Sequence, residues 1–168
     1  MKLLSVLILF LLSMPCVNFA QTPAKTVPQF DFVKLDNTSF TNQNFAKGTM
    51  LFFLFFDPEC EHCQHAIMKL NKNYNDYKNT AMYLICLDGK DKINSFMQQY
   101  APALIDKKNV TLLRDSKNEF ITRFTPVRYP SMFLYDANKK LLDYEDNEES
   151  MFRFATTIKK TQVNKRLN

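Results

Sequence analysis

The chain has no tryptophan and only two glycines among its 168 residues, whereas it holds sixteen phenylalanines. So few glycines argue against a turn-rich all-β sandwich, and the phenylalanines supply ample core for one ordinary domain. The excess of positive over negative charge is also small: the formal net charge is +5, and the basic residues are scattered along the chain. No segment collects basic and aromatic residues on one face, so nucleic acid is not predicted as a partner.

A long apolar run is missing too, because the apolar segment at residues 3–12 is too short for a membrane span. Asn18-Phe19-Ala20 follows it and resembles a cleavage site with a small last residue. Cys16 suggests a lipoprotein, but Pro15 stands where lipoprotein signals need a small residue. We therefore predict a signal peptide at residues 1–20 and export to the periplasm or cell envelope, where disulfides persist. Lipidation and an uncleaved membrane anchor are the alternatives.

Two of the four cysteines form the segment Cys60-Glu61-His62-Cys63, directly after the apolar run at residues 50–56. Such an unbroken run is typical of a strand buried on both faces. The spacing of apolar residues from Glu61 to about Tyr77 predicts a helix. The cysteines therefore lie where a buried strand ends and a helix begins. Free N–H groups and the helix dipole stabilise a thiolate there, so we predict a redox-active pair.

The rest of the chain alternates between strand and helix patterns. Further strands are predicted at residues 30–35, 81–87, 110–113, 131–135 and 141–144, and further helices at residues 90–100, 119–124 and 150–160. This order predicts one α/β domain over residues 21–160, built as a mixed sheet with helices on both faces. The basic residues that follow predict a flexible tail at residues 161–168.

The order of elements around the cysteine pair resembles the thioredoxin fold over nearly the whole chain after residue 20. Asp57-Pro58-Glu59, just before Cys60, resembles exported thioredoxin-like proteins of the TlpA/ResA type, as does the segment at residues 30–48. The resemblance implies a thioredoxin-like mixed sheet with an N-terminal strand and hairpin extension. It also implies that Pro130 is a cis-proline that opens a strand and packs against the cysteine pair. An ordinary trans turn proline is the alternative.

By the same resemblance, Cys60 is the exposed nucleophile and Cys63 resolves the mixed disulfide. A His62 cation would stabilise the Cys60 thiolate, whereas Glu61 would disfavour a second negative charge. Together these effects allow a reduction potential anywhere from roughly −120 to −270 mV. Tyr129 and Pro130 are candidates for the substrate groove, although Tyr129 fits ordinary strand packing equally well.

Two positions depart from related proteins that keep an acidic residue near the pair. Leu54 stands six residues before Cys60, and Ala66 stands three residues after Cys63. No proton relay can therefore be assigned, and water, Glu61 or Glu59 would have to serve. Cys86 lies in a predicted buried strand, which favours a core residue over a third redox thiol.

These observations predict an exported thiol–disulfide oxidoreductase that exchanges disulfides with protein substrates, and the resemblance favours a reductant supplied by a membrane electron donor over an oxidant. We expect a monomer with no cofactor besides the Cys60–Cys63 disulfide and no metal site. A thiol peroxidase related to the peroxiredoxins is an alternative, although Asp57 occupies the position where those enzymes carry Thr or Ser. Further alternatives are a copper-binding or partner-binding thioredoxin-like protein, a structural disulfide, and a zinc site that includes His62 and His65.

Overall fold

The structure, a computed structural model, describes residues 22–167, so the predicted signal peptide lies outside the described residues. Seven strands in this part of the chain form one sheet in the order β2-β1-β5-β4-β3-β6-β7. They are β1 (Asp31–Lys34), β2 (Ser39–Thr41), β3 (Met50–Phe55), β4 (Thr80–Cys86), β5 (Val110–Arg114), β6 (Ser131–Tyr135) and β7 (Leu141–Glu145). The central strands β3, β4 and β5 run parallel, and the other neighbours pair antiparallel. The predicted mixed sheet is confirmed.

Four α-helices of the described residues cover the two faces of this sheet. They are α1 (Glu61–Lys72), α2 (Lys90–Tyr100), α3 (Glu119–Phe124) and α4 (Met151–Leu167). One core layer lies between the sheet and α1, α2 and α4, and the other joins α3 and the N-terminal hairpin to the opposite face. Every residue of β3 is buried, with Phe52 and Leu54 in the first layer and Phe53 and Phe55 in the second. The strand is thus buried on both faces, as the unbroken apolar run predicts.

The N-terminal extension is the hairpin of β1 and β2, which places Phe32 and Phe40 in the second core layer. A turn joins the two strands, and Asn37 adopts a left-handed backbone conformation there, with φ of 67°. The hairpin joins the sheet because β1 also pairs antiparallel with β5. The extension expected from the resemblance is therefore present.

Two helix ends differ from the prediction. Helix α1 ends at Lys72 instead of near Tyr77, and a 3₁₀ turn at Tyr74–Asp76 follows it. Helix α4 continues to Leu167, so the segment predicted as a tail from residue 161 is helical up to that point. This segment contains no Gly or Pro to end a helix. Between residues 22 and 167, no helix is long and apolar enough to cross a membrane.

Candidate active site

Cys60 and Cys63 lie at the junction that the sequence predicts. Cys60 is the N-cap residue of α1, with φ of −80° and ψ of 117°, and its side chain is half-buried. Cys63 lies in the first turn of α1 and is fully buried in the core layer beneath the helix. Both thiols are free, and Cys63 follows Cys60 one helical turn later. One sulfur is therefore reachable from solvent while its neighbour is shielded.

The loop between β3 and α1 fixes these two positions through short-range hydrogen bonds. The Cys60 N–H donates to the Asp57 carbonyl oxygen at 3.1 Å, and the Glu59 N–H donates to Asp57 Oδ1 at 2.8 Å. The Asp57 N–H points inward and donates to Cys63 Sγ at 3.5 Å. Burial raises the pKa of Cys63 well above its usual range, although this N–H favours the thiolate. Burial therefore favours the neutral thiol of Cys63.

Pro130 lies beside this loop, because the pairing of β6 with β3 places Ser131 opposite Phe55. The Tyr129–Pro130 peptide bond is cis, which confirms the prediction, and Pro130 is buried. The Tyr129 ring packs on Phe55 with 4.7 Å between the ring centroids. Burial raises the pKa of Tyr129, and the nearby Asp57 and the thiols of Cys86 and Cys63 raise it further. Tyr129 therefore lies next to the cysteine pair, while its part in a substrate groove stays a prediction.

His62 is exposed on the first turn of α1, but one of its ring nitrogens is held by a distant carboxylate. The distance from His62 Nδ1 to Glu148 Oε1 is 2.8 Å, and the side chains are 69% and 11% exposed. This hydrogen bond and the charge of Glu148 raise the pKa of His62. Glu61 is exposed on the same turn and also favours the charged imidazole. Glu148 is a site residue that the sequence analysis does not predict.

The third thiol in the described residues, Cys86, ends β4 and lies in the same core layer as Cys63. Its sulfur accepts the N–H of Asp88 at 3.3 Å. Lys92 joins Asp88 to the cysteine loop, because its Nζ lies 3.1 Å from Asp88 Oδ1 and 2.8 Å from Glu59 Oε1. Within the described residues, no three His, Cys, Asp or Glu side chains are grouped so that they could hold a metal ion.

Residues 23–143 match the family described as "AhpC/TSA family". The chain belongs to the AhpC/TSA family. No curated protein matches the sequence.

Several solved structures share the fold of this AhpC/TSA family member. A putative thioredoxin from Neisseria meningitidis has a TM-score of 0.67 and 20% identity, covering 86% of this chain and 95% of its own. Peroxidoxin BcpB from Mycobacterium tuberculosis has a TM-score of 0.67 and 15% identity, covering 83% and 97%. A secreted disulfide oxidoreductase from the same organism has a TM-score of 0.62 and 18% identity, covering 77% and 94%. These similarities confirm the thioredoxin-like fold.

The structure brings together the six site residues that the sequence predicts. Cys60, Glu61, His62 and Cys63 form the start of α1, with Glu61 and His62 exposed, and Tyr129 and Pro130 lie beside it. Leu54 and Ala66, where related proteins keep acids, are buried and apolar. The only sequence signal for Glu148 is the acidic segment at residues 145–149 in a chain of net positive charge. The sequence offers many Lys, Arg and His residues that could pair with Glu148, and the fold brings His62 to it.

Proposed function

We propose that this AhpC/TSA family member is an exported thiol–disulfide oxidoreductase that acts on protein disulfides through Cys60 and Cys63. The observation that carries the proposal is the arrangement of the two sulfurs: a half-exposed cysteine stands at the N-cap position of α1, and a fully buried cysteine follows one turn later. Cys60 is thus the sulfur of the pair that a partner chain can reach, because Cys63 is fully buried.

The exchange takes place in two steps that move two electrons. The Cys60 thiolate attacks one sulfur of the partner disulfide, which forms a mixed disulfide and releases the other partner sulfur as a thiolate. Cys63 then loses its proton to solvent and attacks the Cys60 sulfur. This step releases the second partner thiolate and closes the Cys60–Cys63 disulfide. The partner is reduced, and the released thiolates take up protons from water.

The proposal also covers the direction of the redox reaction and the location of the protein in the cell. Asp57-Pro58-Glu59 and the hairpin at residues 30–48 resemble TlpA/ResA-type proteins, which favours a monomeric reductant supplied by a membrane electron donor. The N-terminal sequence supports export, and one fold neighbour is described as secreted. A reduction potential near or below about −250 mV would support a reductant, and a value near about −150 mV would indicate an oxidant or isomerase.

The decisive test is the reduction of insulin disulfides by the full-length chain in the presence of dithiothreitol. Cys60→Ser should lower the rate by at least about 100-fold, because the attacking sulfur is gone. Cys63→Ser should accumulate a mixed disulfide with the substrate, because the resolving sulfur is gone. Cys86→Ala is the matched control, since it removes a buried thiol outside the pair, and it should retain activity. Full activity of Cys60→Ser would disprove the proposal.

A thiol peroxidase is the second candidate, and the AhpC/TSA family match and the likeness to a peroxidoxin favour it. In this mechanism, the Cys60 thiolate attacks a hydroperoxide, the O–O bond breaks, and an alcohol or water leaves. Cys63 then attacks the resulting sulfenic acid, which closes the Cys60–Cys63 disulfide and releases water. Asp57 stands where the peroxiredoxin-related enzymes carry Thr or Ser, and its carboxylate accepts the Glu59 N–H. Consumption of hydrogen peroxide by the same variants distinguishes the two functions: Cys60-dependent turnover of peroxide without insulin reduction would favour the peroxidase.

A further inference from the structure

The acidic turn that follows β7 contacts both parts of the candidate active site. Three of its carboxylates form ion pairs with cations on α1 and on the loop before Pro130. The pairs are Asp146 Oδ1 with Arg128 Nη2 at 3.1 Å, Glu148 Oε1 with His62 Nδ1 at 2.8 Å, and Glu149 Oε1 with Lys69 Nζ at 2.5 Å. This turn therefore connects the start of the cysteine helix to the cis-proline loop.

Glu148 differs from its neighbours because it is buried and held from several sides. Its side chain is 11% exposed, whereas that of Glu149 is 75% exposed. The Asn147 side chain accepts the Glu149 N–H at 2.9 Å and caps the 3₁₀ turn Glu148–Ser150. Lys69 Nζ donates to the Glu148 carbonyl oxygen at 3.4 Å. A carboxylate fixed in this way can orient its partner, whereas an exposed pair contributes little.

We propose that Glu148 is a positioning residue for the cysteine pair, because its buried carboxylate holds His62 by Nδ1 at the first turn of α1. This inference rests on the proposed function. A cation two residues after Cys60 stabilises the thiolate and therefore the dithiol form of the pair. Glu148 would thus make the reduction potential less negative by acting through His62.

The groups that face His62 support this role. Glu148 raises the pKa of His62 most strongly, Glu61 on the same helix adds to it, and Arg128 opposes it from the proline loop. Asp146 offsets Arg128 by pairing with its guanidinium. Burial alone would raise the pKa of Glu148, but the hydrogen bond from His62 and its own backbone N–H bring it below the usual value. Each group therefore favours the charged form of the other, and the effect is lost as the pH rises through the raised pKa of His62.

The first test is the equilibrium of the full-length chain with glutathione at pH 7. Glu148→Gln keeps the shape of the side chain and its acceptor oxygen but removes the charge. The equilibrium should shift roughly threefold to tenfold toward the disulfide, which is about 15 to 30 mV more negative for a two-electron couple. Glu149→Gln is the matched control, since it removes the same charge one residue away, and it should leave the potential unchanged.

The second test shows whether Glu148 acts through His62. In a His62→Gln background, Glu148→Gln should no longer shift the potential. A shift of the same size there, an unchanged potential in the single variant, or a shift toward the dithiol would overturn the inference. An NMR titration of His62 in a Cys60→Ser, Cys63→Ser chain needs no redox activity, and Glu148→Gln should move it to lower pH. An unmoved titration would also overturn the inference, whereas a native pair that never cycles would disprove the proposed function instead.

Discussion

At the scale of single residues, the same side chain acquires different chemistry from its surroundings. Cys60 is half-buried at the end of a helix, whereas Cys63 and Cys86 are fully buried in one core layer. Burial raises the pKa of Cys86 to about 12, although the Asp88 N–H favours its thiolate. A thiol with that pKa has only about 10⁻⁴ of its molecules as thiolate at pH 8, and the thiolate is the reactive form. Cys86 therefore fits a core residue better than a third redox thiol.

We predict that iodoacetamide at pH 8 modifies Cys60 of the reduced native chain at least about 100-fold faster than Cys86. Cys86 is fully buried from the reagent, and very little of it is in the reactive thiolate form. Mass spectrometry of peptides from timed samples measures each site separately. The chain denatured in urea is the control, since both cysteines should then react at similar rates. Modification of Cys86 at a rate close to that of Cys60 in the native chain would show that Cys86 is reachable and reactive.

At the scale of secondary-structure elements, the short helix α3 depends on one buried carboxylate. Asp115 is 1% exposed and accepts three backbone N–H groups, from Lys117 at 3.2 Å, Glu119 at 3.0 Å and Phe120 at 2.7 Å. These include donors of the first turn of α3, which has no capping side chain at its N-cap residue Asn118. Asp115 therefore fixes the helix whose Phe120 fills the second core layer.

Asp115→Ala should lower the free energy of unfolding by about 2–4 kcal/mol, because it removes a cap and leaves buried N–H groups without a partner. Urea unfolding followed by circular dichroism measures this loss. Asp36→Ala is the matched control: Asp36 also accepts a nearby backbone N–H, from Thr38 at 2.9 Å, but it is exposed. That change should cost less than about 1 kcal/mol. Equal losses in the two variants would mean that Asp115 has no special role.

The elements differ in how well local sequence predicts them. Helix α2 has the predicted bounds because Gly89 precedes it and Pro102 follows it closely, and both signals are local. The pairing of β1 with β5 has no such signal, since it joins strands far apart in the chain. The same contrast between local and distant contacts explains which residues of the candidate site could be predicted. Cys60 and Cys63 are only three positions apart in the sequence and could be predicted, whereas Glu148 and His62 are 86 positions apart.

At the scale of the whole molecule, the core holds acidic groups that stay neutral because they are buried. Burial raises the pKa of Cys63 and Cys86 above 9.0, and that of Tyr77, Tyr83 and Tyr135 above 10.0. The hydroxyls of Tyr77 and Tyr135 donate to backbone carbonyl oxygens, at 2.8 Å and 3.1 Å. Unfolding at alkaline pH would expose these groups, so the unfolded chain would release protons that the folded chain retains.

We therefore predict that the free energy of unfolding falls steeply with pH above about 9 to 10. A raised pKa in the folded state means that its contribution is complete below the ordinary pKa and is lost above it. Each such group lowers the stability by about 1.4 kcal/mol per pH unit once the unfolded chain releases its proton. Urea midpoints from pH 8 to pH 11, in the presence of a reductant, measure the slope. Absorbance at 295 nm follows tyrosinate, and the buried tyrosines should ionise only as circular dichroism shows unfolding. Their ionisation in a chain that keeps its native spectrum would contradict the prediction, because it would show that water reaches these hydroxyls in the folded state.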